Sequence, residues 1–173
     1  MSAFEISLQH AKTNKLFYYV ATVVVYRESD GRCLLLKRSA TEKVHPSKYC
    51  VPGGKLEWAN LDINNPTRLN GEVKDYEKIA EALLKREVQE EAGLEIDDEL
   101  VYINNIAFVR PDSVPVVATK FAAKYKSGEV KLEEGTFSDF VWVNEQEVDD
   151  YDCILGIKEE VKQTINKFKL LKL

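Results

Sequence analysis

The chain has 173 residues, 45% of them hydrophobic and 31% charged. That is the size of one ordinary domain with apolar material enough for a core, and the charge content excludes a membrane-embedded protein. A formal charge of −5, from 24 Lys and Arg against 29 Asp and Glu, argues against a general binder of nucleic-acid polymers, which carries a basic excess.

The N-terminus, Met1-Ser2-Ala3-Phe4-Glu5-Ile6-Ser7, lacks a basic stretch followed by an apolar run, so no secretory signal is expected. The apolar stretch at 17–26 is far short of the roughly 20 residues that span a bilayer. Cys33, Cys50 and Cys153 are odd in number and widely spaced, with no C-x-x-C pair. A zinc site and a disulfide framework are therefore not expected, and a reducing, cytoplasmic compartment fits.

In chain order, the β-branched run at 20–26 predicts a buried strand. Ser29-Asp30-Gly31-Arg32 is a turn signal, and the apolar run at 33–36 completes a hairpin. Residues 37–49 are polar and basic, and Tyr49-Cys50-Val51-Pro52-Gly53-Gly54 reads as a strand entering a glycine turn. Residues 58–74, rich in Asn, Asp, Pro and Gly, read as a loop. The apolar spacing of Ile79, Ala80, Leu83, Leu84 and Val88 predicts a helix over 76–92, with Asp75 as N-cap and Gly93 as its left-handed stop. Strands are expected near 101–109, 114–125 and 139–143, then a short helix over 145–150 capped by Asn144. Residues 157–169 predict an amphipathic helix through Val161, Ile165 and Phe168, and Lys162, Lys167, Lys169 and Lys172 make this end basic.

The helix over 76–92 carries the most chemistry. Glu87, Glu90 and Glu91 stand at i, i+3 and i+4, so they share one face. Like charges at that spacing repel, and they sit at the helix end where the dipole disfavours anions. Lys85 and Arg86 could neutralise a plain solvated face. A hard cation with oxygen ligands, Mg2+ or Mn2+, is the sharper explanation. Arg86 is four residues before Glu90 and suited to orient it.

Charge distribution supports a metal-phosphate site. Residues 72–99 hold eleven acids and four bases, whereas residues 37–55 hold five bases and only Glu42. An acidic helix beside a basic glycine turn suits an anionic phosphate bridged by a metal.

Arg86-Glu87-Val88-Gln89-Glu90-Glu91-Ala92-Gly93-Leu94 resembles the second half of the Nudix box, R-E-U-x-E-E-x-G-U with U bulky and aliphatic. Pro52-Gly53-Gly54-Lys55-Leu56-Glu57 resembles the P-G-G-x-x-E turn that opens it. One departure is clear. The family's G-x5-E-x7-R-E places Gly 14 positions before Arg, but Gly54 precedes Arg86 by 32, an excess of 18 that falls in the 58–74 loop. Glu57 and Glu77 both remain open as the first-half Glu.

The resemblance implies a single Nudix-like domain over 1–173, an α/β/α sandwich around a mixed β-sheet. It implies Mg2+- or Mn2+-dependent hydrolysis of a phosphoanhydride bond in a nucleoside diphosphate derivative or nucleotide. Its metal ligands would be Glu87, Glu90, Glu91 and the Gly54 carbonyl. Glu90, Glu91, Arg86 and, from a later loop, Glu134 are the catalytic candidates. Gly53, Gly54, Lys55 and Arg38 are the substrate-binding candidates. His45, Trp58 and Phe137 are weaker contacts with packing alternatives. The expected partner is a small nucleotide, with no membrane, and a homodimer is compatible. A non-catalytic nucleotide-binding module is the alternative reading. An isomerase using a reactive cysteine is a third, which neither Cys50 nor Cys153 clearly supports.

Overall fold

Strand β1, Tyr18–Arg27, sends alternate side chains to opposite faces of a sheet, and both faces are covered. This is why its valines run consecutively rather than alternating with polar residues. Ala21, Val23 and Val25 enter one core, and Val24 and Tyr26 enter the other. The computed structural model describes residues 6–170. Residues Met1–Glu5 of the signal reading and Lys172 of the basic end lie outside that range.

The hairpin partner is β2, Arg32–Arg38, followed by β3, Tyr49–Cys50, and β4, Gly53–Lys55. Two three-residue strands follow, β5, Arg68–Asn70, and β6, Val73–Asp75, then helix α1, Ile79–Ala92. After it come β7, Glu95–Ile96, β8, Val101–Val109, β9, Pro115–Ser127, and β10, Phe137–Val143. Helix α2, Ile157–Leu170, closes the described chain.

The main sheet has eight strands, ordered β10-β2-β1-β9-β7, with β3 beside β2, β4 beside β1 and β8 beside β9. It is mixed: β1 and β9 run parallel from Tyr18↔Val116 to Tyr26↔Lys124, and the other pairs are antiparallel. Helix α1 packs Leu83, Leu84, Val88 and Ala92 on one face. Helix α2 packs Val161, Ile165 and Phe168 on the other, with the Phe168 ring stacked 4.9 Å from Tyr26. The architecture is the expected α/β/α sandwich. Among the described residues no helix is long and apolar enough to cross a membrane.

One irregularity positions the site. Strands β1 and β2 pair directly only at Tyr26↔Cys33 and Arg27↔Arg32, then splay apart. The β3–β4 segment wedges between them. Val23 donates to the Pro52 carbonyl at 2.9 Å, and Gly53 and Gly54 register against Thr22 and Ala21. The glycine turn thus lies in the middle of the sheet.

Four local expectations need correction. Asp75 does not cap α1; it lies in β6 and accepts from Arg68 Nε at 2.9 Å. The helix starts at Ile79 instead of 76, because Lys78 adopts a left-handed conformation (φ 56°) that breaks the chain direction there. Nor are residues 58–74 structureless. They hold a 3-10 turn, Trp58–Asn60, and the β5–β6 hairpin closed by Gly71-Glu72. Asn144 accepts from the Gln146 and Glu147 amides at 2.9 Å, as a cap would, but the turn it begins is a 3-10 turn at Glu147–Asp150.

Candidate active site

The glycine turn and the glutamate helix meet through the backbone. Gly54 registers with Ala21, whose side chain faces α1, so Gly54 faces α1 too. A Cβ on Gly54 would overlap the Glu87 carboxylate. A Cβ on Gly53 would strike the β1 backbone, with Thr22 Cα at 2.7 Å. Only glycine allows both approaches. The Gly53 amide donates to Glu91 Oε2 at 3.0 Å, binding the turn to the last helical turn of α1.

The helix ends where the sequence places its stop. Gly93 is left-handed (φ 68°) and donates to the Gln89 carbonyl at 3.0 Å. The last carbonyls of α1 then take donors from a distant loop. Lys131 N–H binds Ala92 O at 2.9 Å, and Glu133 N–H binds Glu91 O at 3.1 Å. This docks the loop before β10 against the glutamates.

The carboxylates differ in environment. Glu87 is 15% exposed and accepts from Arg86 Nη2 at 2.5 Å. Burial pushes its pKa up, Arg86 opposes that, and Glu90 and Glu133 push it further up. Glu91 is pushed up to about 8, first by burial; the Gly53 amide opposes, Glu87 and Glu133 add to the rise, and Arg38 opposes. Glu90 is exposed. Lys85 does not neutralise this face, because it pairs with Asp98.

Arg86 therefore grips its neighbour Glu87, not Glu90 as the helical spacing suggests. Glu134 is exposed beside left-handed Gly135 (φ 83°). The loop acid whose charge acts on Glu87 and Glu91 is Glu133, which sequence reasoning passed over. Its only signal in the sequence is adjacency to Glu134. Glu57 is exposed ahead of the 3-10 turn. Glu77 precedes α1 and pairs with Arg68 at 3.2 Å. The position eight before Arg86, where the pattern wants Glu, is Lys78.

Arg38 donates to the Val44 carbonyl at 2.7 Å and pairs with Glu42, which ties it to its own loop near Glu91. Lys55 is exposed and registers with Val20. His45 adopts a left-handed conformation (φ 51°) in the basic loop. Trp58 is exposed, whereas Phe137 is buried in the core under α1. Cys33 and Cys50 are buried, and burial pushes the Cys50 thiol up to about 12. A protonated buried thiol is a poor nucleophile, which weighs against cysteine chemistry at this turn.

Can these residues hold a divalent cation? Among the described residues no three His, Cys, Asp or Glu side chains already form a metal cage. The donor set is nevertheless that of a hard cation: carboxylates converging on a glycine backbone whose missing side chain leaves room. Like charge raises the proton affinity of both acids, from Glu90 and Glu133 at Glu87 and from Glu87 and Glu133 at Glu91, as in groups short of a counter-ion. The residues fit Mg2+ or Mn2+.

A second surface lies across the sheet from α1. Cross-strand partners share a face, so Lys55, Val20, Ala118 and Ile106 form one row, and Tyr18, Val116 and Phe108 form the next. Tyr18, Ile106 and Phe108 are exposed. Lys120, on the same face, pairs with buried Glu160 of α2. The sequence did not single out this apolar surface, since the β8 residues read simply as strand.

The profile of the NUDIX domain family matches residues 17–164. A search of curated proteins returned no match. Among solved structures, the fold is similar to a MutT NUDIX hydrolase from Burkholderia pseudomallei, at 20% identity and TM-score 0.61, covering 86% of this chain and 98% of that one. It is similar to a MutT protein from Methanosarcina mazei Go1, at 20% identity and TM-score 0.61, covering 91% and 99%. It is also similar to the NUDIX domain of Shewanella oneidensis NrtR, solved with ADP ribose, at 13% identity and TM-score 0.64, covering 89% and 90%. At these identities the similarity concerns the fold.

Proposed function

The chain belongs to the Nudix family, and from that premise we propose that it is a Mg2+- or Mn2+-dependent pyrophosphohydrolase of a nucleoside diphosphate derivative or nucleotide. One observation carries the reading: Glu87 lies directly over the Gly54 backbone, with Glu91 held by the Gly53 amide beside it. Glu87, Glu90, Glu91 and the Gly54 carbonyl would hold the cation. Bound there, a divalent ion supplies charge withdrawal from the anhydride and acidifies a water.

The chain's own groups do the rest. Arg86 fixes the Glu87 carboxylate in one orientation. The glycine turn keeps the reacting phosphorus close to the backbone. A carboxylate must take the proton from water, and Glu90 and Glu91 are the helical candidates. For the loop role we assign Glu133, whose charge reaches Glu87 and Glu91, over its neighbour Glu134. Arg38 and Lys55 supply positive charge at the two sides of the turn.

The NrtR domain was solved with ADP ribose, and a nucleoside diphosphate derivative of that class is the substrate we place on the carboxylate face. A cytoplasmic setting suits Cys33, Cys50 and Cys153, none of which is disulfide-bonded.

Lys78 at the position of the first-half Glu favours a second reading, a module that binds a nucleotide without cleaving it. The test is a panel of ADP-ribose, dinucleoside polyphosphates, nucleoside triphosphates and nucleotide sugars with Mg2+ or Mn2+. Release of a mononucleotide from one class supports the hydrolase. Binding across the panel without product would replace it with the binding module.

A further inference from the structure

The insertion that interrupts the family motif builds a cavity. Its volume is about 180 Å3, and its apolar walls are Leu56, Leu61, Ile79, Ala82 and Leu83. One wall comes from the end of the glycine turn, one from the insertion and one from the first turns of α1. Arg86 also lines it, and the same guanidinium grips Glu87. The cavity therefore opens beside the carboxylate face and shares one residue with it.

The remaining wall groups are held in place. Tyr76 donates its hydroxyl to the Ile63 carbonyl at 2.9 Å, and Lys74 donates to the same carbonyl at 2.9 Å. Thr67 Oγ1 accepts from the Glu77 amide at 3.1 Å. Asp62 accepts from the Asn64 amide at 3.2 Å and from Asn65 Nδ2 at 2.6 Å. These bonds fasten the β5–β6 hairpin and its lead-in to the start of α1, so the insertion has a defined inner surface.

Size and charge narrow the occupant. Pockets for a whole drug-sized ligand run to roughly 300–1,000 Å3, so this one suits a single ring system. Asp62 and Glu77 lie in its wall, and the Asn65 side chain and Asn64 amide hold the Asp62 carboxyl below the ordinary range. Two carboxylates against the already engaged Arg86 repel a phosphate. They accept hydrogen bonds from ring amino or N–H groups.

Resting on the hydrolase reading above, we infer that the insertion cavity binds a flat, uncharged or weakly basic ring at the far end of the substrate, and never a phosphate. The substrate class is then two-ended. The pyrophosphate lies over the glutamates and a ring-bearing group lies beyond it in the insertion, next to the shared Arg86. In this account the inserted residues set the choice of leaving group. Chains without an insertion would lack this wall.

The test uses free adenine as the ring probe and inorganic phosphate as the anion probe, read by methyl NMR of the full chain. Adenine is expected to shift the Leu61, Ile79, Ala82 and Leu83 methyls in the millimolar range, and phosphate to leave them unmoved. Ala82→Phe fills the cavity from an exposed helical position and abolishes the shifts while the melting temperature stays near wild type. Leu61→Trp does the same from the insertion side. Absence of shifts in the wild type, shifts confined to Ile106 and Val116, shifts caused by phosphate, or shifts persisting in both variants would each overturn the inference. The readout needs no turnover, so loss of the hydrolase reading and loss of the cavity reading are separate results.

Discussion

Glu87 reaches across from α1 and rests its carboxylate on the backbone of Gly54, in the space a side chain would take. The two residues are far apart in sequence and come from different layers of the sandwich. Their approach depends on β3–β4 being wedged between β1 and β2, which brings a glycine to the centre of the sheet. On the proposed reading, this carboxylate and the Gly54 carbonyl would form one corner of a cation site.

Gly54→Ala follows directly. The new methyl group displaces Glu87, and a misplacement of this order costs about a hundredfold in turnover. Far-ultraviolet circular dichroism should stay that of the wild type. Wild-type turnover in this variant, measured with Mg2+, would remove the role given to the contact.

The loop before β10 offers two adjacent acids. Glu133 is expected to matter because its backbone is anchored to Glu91 O and its charge acts on Glu87 and Glu91. Glu133→Gln should lower kcat by about a hundredfold, the lower end of a lost general base. Glu134→Gln should leave kcat within about twofold, as an exposed turn residue does. The reverse pattern would return the role to Glu134.

Across the sheet, Lys120 and Glu160 form a buried ion pair, with the Glu160 side chain only 2% exposed. Glu160 Oε2 and Thr164 Oγ1 have no further partner among the described residues. Lys120→Met leaves the carboxylate unpaired and should cost about 3–5 kcal/mol near neutral pH. Burial already holds Glu160 above the ordinary range, with Lys120 opposing and Glu159 adding to the rise. The folded state then keeps a proton that the unfolded state gives up. Stability therefore falls as pH rises from the unfolded value, about 4.3, towards the folded one. Losing Lys120 raises the folded value further, so the variant's penalty should grow between pH 5 and 8. Urea midpoints across that range check the sign; a penalty that shrinks with pH contradicts it.

Much of this was legible in one dimension. The apolar runs that became β1, β8, β9, β10 and α2 are long, and their patterns are dictated by which faces are buried. Arg86 to Leu94 carries its chemistry in consecutive residues, so the glutamate face could be read from helical spacing alone. The start of α1 could not. Asp75 has the chemistry of a cap, but Arg68 claims its carboxylate within the hairpin, and Lys78 turns left-handed. The hairpin itself carried only a turn signal. Its strands have three residues each, and β5 is exposed throughout, so no apolar alternation marks them. The place of Glu133 beside the glutamates was hidden for a tertiary reason. Nothing local shows that residues 131–133 cap the end of α1, and only that docking separates Glu133 from Glu134.

If the proposed function holds, the α1 glutamates hold a divalent cation that serves phosphoanhydride cleavage. The most direct measurement is kcat of the wild type, Glu90→Gln and Glu91→Gln on ADP-ribose and the other nucleotide classes, with Mg2+, with Mn2+ and with chelator. Metal-dependent release of a mononucleotide is expected from the wild type and should be lost with chelator. A fall of at least about a hundredfold is expected in each variant with the fold intact. Near-wild-type turnover in both variants, or turnover that survives chelation, would contradict the proposed function.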